Sequence, residues 1–405
     1  MAFDLKRSHV VSVLIPLSLT LLAAGCREGT GSSAGGTTPI PLPAFGANGC
    51  NGMDQSFGSL AAVSFASLNI GPMSQLAAAG DTLGSAGTYE LYVTGDGATL
   101  VELVFDPMDP LNPMTETVLL GPGDVDGLPE YAGVTMPAEL SGVAVFDPGF
   151  LVVVENTANT LLLMSRDVPG NVSVFPTLVP DEAPGNSDGP AGLIRFAFTS
   201  ATQFLPTGDG RFLIADPGNH SIRQVEVGAL AQSATIAGTG APFYADGRLT
   251  STGFDTPVGL ALTCDGDLVV AESGGHRIRR LSVGDFNFFA GGFGGDSITL
   301  VGDGTEATTD GSGATATVAA PVAPVITGTG EIYWVDSTSG ILRRYDPDTD
   351  TADCPFFADC ATAMGAIGTA PNFTSTGSAF SLAVTEDGSL YALDADADEL
   401  WLVMP

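Results

Sequence analysis

Two histidines occupy equivalent places in two turns of similar sequence. His220 follows Asp216-Pro-Gly-Asn and His276 follows Glu272-Ser-Gly-Gly, and the chain has 3 histidines in all. An imidazole can bind a metal or act as a general base, so this pair is a candidate for either chemistry. The alternative is that each histidine is a turn residue that hydrogen-bonds within its own repeat.

Acidic side chains cluster in two turns near the C-terminus. Hard carboxylate oxygens suit Ca²⁺, so both clusters supply candidate calcium ligands, namely Asp346, Asp348 and Asp350, and Asp394, Asp396 and Asp398. The first cluster is not an EF-hand, because Thr351 stands where that loop has Gly and Phe357 where it has Glu. Solvated turn acids are the alternative, and no other cofactor is indicated.

The N-terminus carries the features of an export signal. Lys6 and Arg7 precede an apolar stretch, 10–24, that is too short for a typical membrane-spanning helix. The residues just before Cys26, Leu-Ala-Ala-Gly, resemble a bacterial lipobox. This resemblance implies a lipoprotein signal peptide over 1–25 and lipid attachment at Cys26, with an ordinary signal peptide as the alternative.

A segment with almost no charge follows the signal. Residues 27–49 are rich in Gly, Ser, Thr and Pro, which predicts a flexible lipid-anchored tether over 26–56, ahead of a domain over 57–405. Two or three acyl chains anchor a protein stably, so the lipid is the one membrane contact expected. Arg27 rather than Asp follows the cysteine, so no signal for inner-membrane retention is evident and the outer membrane is favoured.

The other four cysteines bear on disulfides and metals. Cys354 and Cys360 bracket a short segment and could close a small loop by a disulfide, as exported proteins often do. A pairing of Cys50 with Cys264 is open but has no local support. No C-x-x-C spacing occurs, so a zinc site is disfavoured.

The chain is strongly acidic. Its 46 Asp and Glu against 13 Lys and Arg give a formal net charge of −33. Nucleic acid is excluded as a partner, because its phosphates need basic side chains, and lying flat on an anionic bilayer is disfavoured. The charge fits solubility, divalent cations or cationic partners. A match to G-x-S-x-G at 31–35 lies in the tether and is coincidental.

An acid followed six positions later by an aliphatic residue recurs through the chain. The acids are Glu155, Asp216, Glu272, Asp336 and Asp394, and Thr94 takes this place in a degenerate first copy. The copies lie roughly 60 residues apart, which indicates one structural unit used six times. We expect the acids to anchor turn amides or to pair with a row of arginines, Arg223, Arg279 and Arg343.

Each unit has the pattern of four short strands joined by Gly- and Asp-rich turns. The strand segments of the clearest copy are 258–262, 268–271 and 277–281. Fourth strands are expected at 286–290 in this copy and at 366–368 in the next. The predicted fold class is all-β, a six-bladed β-propeller of four-stranded antiparallel blades. The last unit ends after its third strand, so 60–65 is expected to supply its fourth strand and close the ring.

The repeats resemble those of the NHL-repeat family of β-propellers. The matching segments are Val-Gly-Leu-Ala (258–261), Ala-Asp-Pro-Gly-Asn-His-Ser-Ile-Arg (215–223) and Ala-Glu-Ser-Gly-Gly-His-Arg-Ile-Arg (271–279), with 236–240 and 246–248. The resemblance covers residues 57–405 and implies six blades. The units are longer than the usual repeat of that family, which implies extended loops.

A ring of blades makes the two histidines a poor metal site. Equivalent points on neighbouring blades lie on the order of 10 Å apart, and His220 and His276 cannot share a metal through bonds of ~2 Å. Related peptidyl-hydroxyglycine lyases and streptogramin lyases need more histidines than this chain offers. Six-bladed sugar lactonases hold their metal with Glu, Asn and Asp at the axis, and that class stays open.

The sequence therefore predicts a non-catalytic envelope lipoprotein. Its propeller is expected to bind or scaffold a protein or glycan partner through loops at one end of the ring, as a monomer without catalytic residues. The alternative is a metal-dependent propeller enzyme of the lactonase or esterase type.

Overall fold

Short apolar strands joined by Gly- and Asp-rich turns make up most of the structure, as the repeat predicts. The computed structural model describes residues 59–63, 73–79, 88–95, 99–121, 124, 140–147, 150–155, 160–166, 172–174, 184–190, 193–199, 202–207, 211–226, 232–249, 251–263, 266–282, 295–364, 373, 380–385, 388–395 and 397–404. They belong to one compact unit, Pro41–Pro405. The predicted signal peptide and the whole of the predicted tether, with Cys26, lie outside these residues.

The strands, in chain order, are β1 (Ser59–Ala62), β2 (Met73–Ala79), β3 (Tyr89–Gly95), β4 (Thr99–Phe105), β5 (Thr115–Leu120), β6 (Leu140–Asp147), β7 (Phe150–Glu155), β8 (Thr160–Ser165), β9 (Val172–Val174), β10 (Gly189–Pro190), β11 (Phe204–Pro206), β12 (Arg211–Asp216), β13 (Ser221–Glu226), β14 (Gln232–Ala237), β15 (Gly247–Arg248), β16 (Pro257–Leu262), β17 (Leu268–Glu272), β18 (Arg277–Leu281), β19 (Asp296–Val301), β20 (Gly311–Ser312), β21 (Pro321–Ile326), β22 (Ile332–Asp336), β23 (Ile341–Asp346), β24 (Thr351–Asp353), β25 (Phe380–Val384), β26 (Leu390–Asp394) and β27 (Glu399–Met404). Helix is confined, in the described ranges, to a 3₁₀ turn at Pro217–Asn219 and to α1 (Cys360–Met364). Neither has the length and apolar character needed to cross a membrane.

The strands form six antiparallel sheets, which are the six blades of a propeller. Blade 1 is β2 to β5, blade 2 is β6 to β9, blade 3 is β11 to β14, blade 4 is β16 to β19, blade 5 is β21 to β24, and blade 6 is β25 to β27 with β1. The predicted fold class is confirmed. Because adjacent strands are antiparallel, the turns between second and third strands lie at the same end of the ring as the links between blades.

The core lies between adjacent blades. Every residue of β17, for example, is buried. Leu213 and Ala215 of blade 3 pack in one cluster with Leu260 and Val270 of blade 4. Burying a side chain such as Leu contributes about 1.5–3 kcal/mol, so these inter-blade clusters are the main source of stability.

The N-terminal strand closes the ring, as predicted. Strand β1 pairs antiparallel with β27, from Ser59 opposite Met404 to Ala62 opposite Trp401. The blade-6 sheet is thereby completed by the start of the chain. The pairing satisfies the backbone groups of an edge that would otherwise be open.

The additional residues of the longer repeats form a short fifth strand at the outer edge of three blades. Strands β10, β15 and β20 pair with β14, β19 and β24 and make blades 3, 4 and 5 five-stranded. Each of these two-residue strands belongs to the link that enters its blade. The extended loops implied by the family resemblance therefore cover sheet edges.

Two fourth strands lie elsewhere than the sequence pattern indicates. The fourth strand is Asp296–Val301 in blade 4 and Thr351–Asp353 in blade 5, and the predicted segments 286–290 and 366–368 lie outside the described residues. An outer strand is only half buried, so polar and apolar residues alternate in it, as they do in β19. A search for an uninterrupted apolar run therefore misses it.

Candidate functional site

The two histidines link blade 3 to blade 4 and blade 4 to blade 5. The Nδ1 of His220 accepts a hydrogen bond from the Thr256 amide at 3.2 Å, and the Nδ1 of His276 accepts one from the Ala320 amide at 3.1 Å. Thr256 and Ala320 stand just before the first strands of blades 4 and 5 and have left-handed φ values of 52° and 50°. The prediction of a hydrogen bond within the histidine's own repeat is therefore wrong, because the amide at the entry of the next blade lacks a strand partner.

Three of the repeated acids pair with the predicted arginines. Asp216 with Arg223 and Asp336 with Arg343 form ion pairs at 2.9 Å, and all four side chains are fully buried. Glu272 and Arg279 form the third pair at 2.5 Å, equally buried. Two of the acids also accept backbone amides, since Asp216 accepts that of Ala197 at 2.9 Å and Glu272 accepts that of Asp255 at 3.0 Å. Both predicted roles of these acids occur together.

Each arginine also holds the link that enters its blade. The link forms a narrow hairpin, here called a link hairpin, whose two arms meet at a single β-bridge; the three hairpins are 187–195, 245–253 and 309–317. The guanidinium donates to one carbonyl on each arm, between 2.8 and 3.1 Å. The acceptors are Ser187 and Arg195 for Arg223, Ala245 and Gly253 for Arg279, and Thr309 and Thr317 for Arg343. The arginine thus clamps the base of the hairpin.

In two of these clamps the arginine also contacts the Asp of an Asp-Gly pair. Asp188 contacts Arg223 at 2.6 Å and accepts the Thr235 amide at 2.8 Å. Asp246 contacts Arg279 at 2.7 Å and accepts the amide of Thr299 at 3.1 Å. These acids escaped the sequence analysis as clamp residues. The recurrence of Asp-Gly at 188–189, 246–247 and 310–311, with the period of the blades, is the signal that would have found them.

Burial and pairing act in opposite directions on these acids. Burial raises the pKa of the carboxyls of Asp216, Glu272 and Asp336 above its ordinary value, although the arginines oppose the change. At Asp188 burial also acts to raise the pKa, but Arg223 and the Thr235 amide outweigh it and the pKa is lowered. The clamps are therefore electrostatically coupled networks rather than isolated ion pairs.

The clamp is absent from two other repeats. Glu155 and Asp394 are fully buried like the clamp acids. Seven residues on, where the clamps have arginine, stand Leu162 and Trp401. In the described part of the chain the ring is therefore asymmetric, with arginine clamps in blades 3, 4 and 5.

The first group of calcium candidates forms hydrogen bonds within its turn. Asp346 accepts the amide of Asp348 at 2.9 Å and the hydroxyl of Thr349 at 2.8 Å, and the Thr349 hydrogen bond lowers the Asp346 pKa. Asp350 accepts the Gly313 amide at 3.1 Å. Among the described residues these carboxylates do not form a group of three potential ligands. The structure thus gives Asp346 turn-stabilising contacts and joins Asp350 to the third link hairpin, and calcium binding here stays a prediction.

The second group lies around the turn after β26. Asp394 is fully buried and accepts the amide of Ala397 at 3.1 Å. Asp398 has a left-handed φ of 61°, in the turn position that His220 and His276 occupy in their blades. Asp396 lies outside the described residues. A calcium site here also stays a prediction.

Two cysteines are joined as the sequence suggests. Cys354 and Cys360 form a disulfide with a Cα–Cα distance of 5.2 Å. Both are buried beside Ile341 and Ala363 in a small cluster at the outer part of blade 5. Cys50 and Cys264 lie outside the described residues.

The first strands of all six blades line a cavity of about 100 Å³ at the axis. Apolar side chains such as Leu260 and Ala261 make up most of its wall. The longest polar side chain in the described wall is Gln203, whose Oε1 accepts the Leu260 amide at 3.2 Å. The carboxylates that hold the axial metal of the related lactonases have no counterpart in this described wall.

Two aromatic rings are exposed to solvent just before the second link hairpin, 245–253. Phe243 and Tyr244 are 42% and 49% exposed. The Arg277 guanidinium lies 3.9 Å from the centre of the Tyr244 ring, and the Tyr244 hydroxyl donates to Asp246 at 2.8 Å. Phe243, Tyr244, Asp246 and Arg277 are called the Tyr244 surface below.

The rings of the Tyr244 surface are fixed in place. Arg277 is held by the carbonyls of Gly275 and Asp303 at 2.7 and 2.6 Å. The Phe243 ring lies so close to Gly253 that a Cβ there would approach it within 2.6 Å. Tyr244 and Phe243 therefore form a preorganised surface next to the clamped base of this hairpin.

Comparison with known proteins agrees with this architecture. Residues 254–281 match the NHL repeat family. The chain is thus a six-bladed β-propeller that contains an NHL repeat, and the resemblance drawn from the sequence is confirmed. No curated protein matches the chain.

Solved structures with the same fold are distant in sequence. An auxiliary nutrient binding protein from Bacteroides ovatus ATCC 8483 is 12% identical with a TM-score of 0.52, over 86% of this chain and 77% of that one. An auxiliary nutrient binding protein from Bacteroides thetaiotaomicron VPI-5482 is 11% identical with a TM-score of 0.50, over 82% and 68%. A protein of unknown function from the latter organism is 16% identical with a TM-score of 0.44, and the match covers 60% of this chain and 53% of that one. At these identities the likeness to the two nutrient binding proteins concerns the fold alone.

Proposed function

We propose that this protein is a non-catalytic binding module of the cell envelope. Its propeller holds a glycan or protein partner on the link hairpins of blades 3 to 5, and the Tyr244 surface is the main contact. The lipid on Cys26 and the tether keep the propeller at the membrane, with the outer membrane as the favoured site. The observation that carries the proposal is an exposed aromatic pair next to the base of a hairpin that a buried arginine holds.

Rigid exposed aromatics are suited to binding. Tyr supplies a large contact area with few rotatable bonds, and aromatic side chains are enriched where interfaces gain most of their affinity. Because Arg277 and Asp246 already hold Tyr244, little side-chain entropy is lost when a partner binds. The same ring can stack on a sugar or pack in a protein interface.

Two further observations support binding over catalysis. Two of the distant structural neighbours are named as auxiliary nutrient binding proteins, which fits a binding role for this fold. The described wall of the axial cavity is apolar apart from Gln203 and backbone groups, which suits packing better than metal-dependent hydrolysis.

A capture experiment tests the proposal. The chain from residue 27 onward is immobilised and exposed to a panel of defined oligosaccharides and to solubilised envelope proteins. We expect saturable binding of one class, weakened at least tenfold in a Phe243→Ala/Tyr244→Ala variant. The matched control is Met108→Ala, since Met108 is 90% exposed on a different blade.

Two results would contradict the proposal. One is equal binding by the aromatic variant and by the wild type. The other is turnover of simple lactones or esters that needs a divalent metal, without capture of either class. The second result would favour the enzyme alternative.

A further inference from the structure

Three potential metal ligands converge at the outer part of blade 5. The Sγ atoms of Cys354 and Cys360 and a carboxylate oxygen of Asp310 all lie within 4.8 Å of one another. Among the described residues this is the one such group of three. Cys354 and Cys360 are 2% and 0% exposed, whereas Asp310 is exposed. The group therefore has a buried sulfur side and a side that is open to solvent.

The three residues are held by contacts other than the sulfur–sulfur bond. Asp310 belongs to the third link hairpin and accepts the amide of Cys360 at 2.7 Å through Oδ2. Both sulfurs lie in an apolar cluster with Ile341 and Ala363, against which Phe357 packs. We therefore expect the three side chains to stay close together when the disulfide is open.

Asp310 differs from its counterparts in the neighbouring blades. Asp188 and Asp246 contact the clamp arginine of their own blade. Asp310 is instead directed to the cysteine pair through the Cys360 amide, and the Arg343 clamp of blade 5 uses carbonyl groups. This departure from the repeat removes a carboxylate from the clamp and places it beside two sulfurs.

We propose that reduction of the Cys354–Cys360 disulfide opens a zinc site made of the two thiolates and the Asp310 carboxylate. A dithiol reductant gives two electrons and two protons to the disulfide, which becomes two thiols while the reductant becomes a disulfide. Binding of Zn²⁺ then releases both thiol protons. Oδ1 of Asp310 is the third ligand, and a water from the open side is the fourth.

The ligand set favours zinc among the common divalent metals. Zinc takes tetrahedral sites of thiolate, imidazole and carboxylate, whereas calcium and magnesium take oxygen ligands. The Cα–Cα distance of 5.2 Å lets both sulfurs reach one ion after small side-chain rotations. A sequence search for C-x-x-C misses the site, because its cysteines are six residues apart and its third ligand comes from a link hairpin.

Cobalt titration tests this proposal. The chain from residue 27 onward is kept oxidised or reduced with a phosphine, which takes an oxygen from water as the disulfide gains two electrons and two protons. Co²⁺ is added in the absence of oxygen, and the thiolate-to-cobalt absorption band is recorded. Zn²⁺ is then added to displace the Co²⁺. We expect about one Co²⁺ per reduced chain, no such band in the oxidised chain, and tighter binding as the pH rises.

Variants distinguish Co²⁺ binding at this site from Co²⁺ binding at the other cysteines. Cys354→Ser/Cys360→Ser is expected to abolish the band. Asp310→Asn, which keeps the disulfide, is expected to weaken Co²⁺ binding at least tenfold, and the matched control Asp296→Asn, at an exposed position of blade 4, is expected to leave it unchanged. A band that persists in the double serine variant would overturn the proposal, as would a reduced wild type that binds no metal or equal affinities for Asp310→Asn and Asp296→Asn.

Discussion

The clamp arginines unite two functions in one side chain. Each neutralises a fully buried acid and also donates to both arms of a link hairpin, as Arg343 does to Asp336 and to the carbonyls of Thr309 and Thr317. A buried ion pair is favourable only when further hydrogen bonds satisfy its remaining groups. The hairpin carbonyls supply those bonds, so the position of the link and the stability of the blade depend on the same residue.

Loss of one clamp arginine should be severe. We expect Arg279→Leu to lower the free energy of unfolding by about 3–5 kcal/mol, because it leaves Glu272 buried and unpaired. Arg280→Ala is the control on the same strand, since Arg280 is 37% exposed and its ion pair with Asp267 contributes about 0–1 kcal/mol. Urea unfolding measures both.

A double variant checks that the loss comes from the unpaired acid. Glu272→Leu/Arg279→Leu should recover part of the stability lost in Arg279→Leu, because no unpaired charge remains. If Arg279→Leu and Arg280→Ala cost the same, the clamp has no special role.

At the residue scale the sequence predicted the acids and the arginine row but not what the arginines hold. Spacing along the chain indicated the arginine row as one of two partners for Asp216, because both lie at fixed places in the repeat, and the structure shows the pair with Arg223. The carbonyls of Ser187 and Arg195 come from a link with no strand pattern of its own. Backbone acceptors of that kind leave no residue-type signal, so only the structure shows them.

Close approach of two first strands explains a glycine at the axis. A Cβ on Gly259 would lie 2.2 Å from Cδ of Pro324 in the next blade. We expect Gly259→Ala to cost about 1–3 kcal/mol, because the overlap forces the two strands apart. Gly121→Ala is the control, since the nearest atom to its Cβ would be 3.8 Å away. Equal thermal unfolding midpoints for the two variants would contradict this explanation.

Ring closure by β1 should be essential for a stable monomer. A chain that starts at residue 66 lacks β1 and leaves the edge of β27 unpaired. We expect it to unfold at a lower temperature and to form oligomers, whereas a chain that starts at residue 57 should behave like the longer protein. Size-exclusion chromatography and thermal unfolding distinguish the two. A monomeric, equally stable product from residue 66 would show that closure is dispensable.

At the element scale the sequence predicted the second and third strands best. The second strands are buried and apolar, so β12 and β17 stand out as continuous runs, and the third strands follow each of them after a short turn. Fourth strands such as β19 were misplaced because they are half exposed and short of apolar residues. The two-residue strands β10, β15 and β20 were not predicted, because pairing over two residues depends on the neighbouring sheet edge rather than on local sequence.

The whole molecule should be more stable at mildly acidic pH than at neutral pH. Burial raises the pKa of Asp216, Glu272 and Asp336 in the folded chain, so above unfolded values of about 4 the folded state binds more protons. Stability is then present below the unfolded pKa and declines as pH rises towards the raised folded values. The net charge of −33 adds a change of the same sign, because protonation relieves repulsion.

Urea unfolding at constant ionic strength measures this pH dependence. We expect a higher midpoint at about pH 5 than at about pH 7. The variant Asp336→Asn should show a smaller difference between the two, since one of the titrating groups is gone. A midpoint that rises from about pH 5 to about pH 7 would contradict the raised pKa values.

The central claim at this scale is that the ring presents a partner surface on the link hairpins of blades 3 to 5. Hydrogen exchange of the backbone amides, with and without the captured glycan or protein, tests it most directly. The account predicts partner-dependent protection in 238–256 and 273–277, which carry the Tyr244 surface. Protection confined to 106–120 of blade 1, where Met108 and Met114 are exposed, would contradict the account.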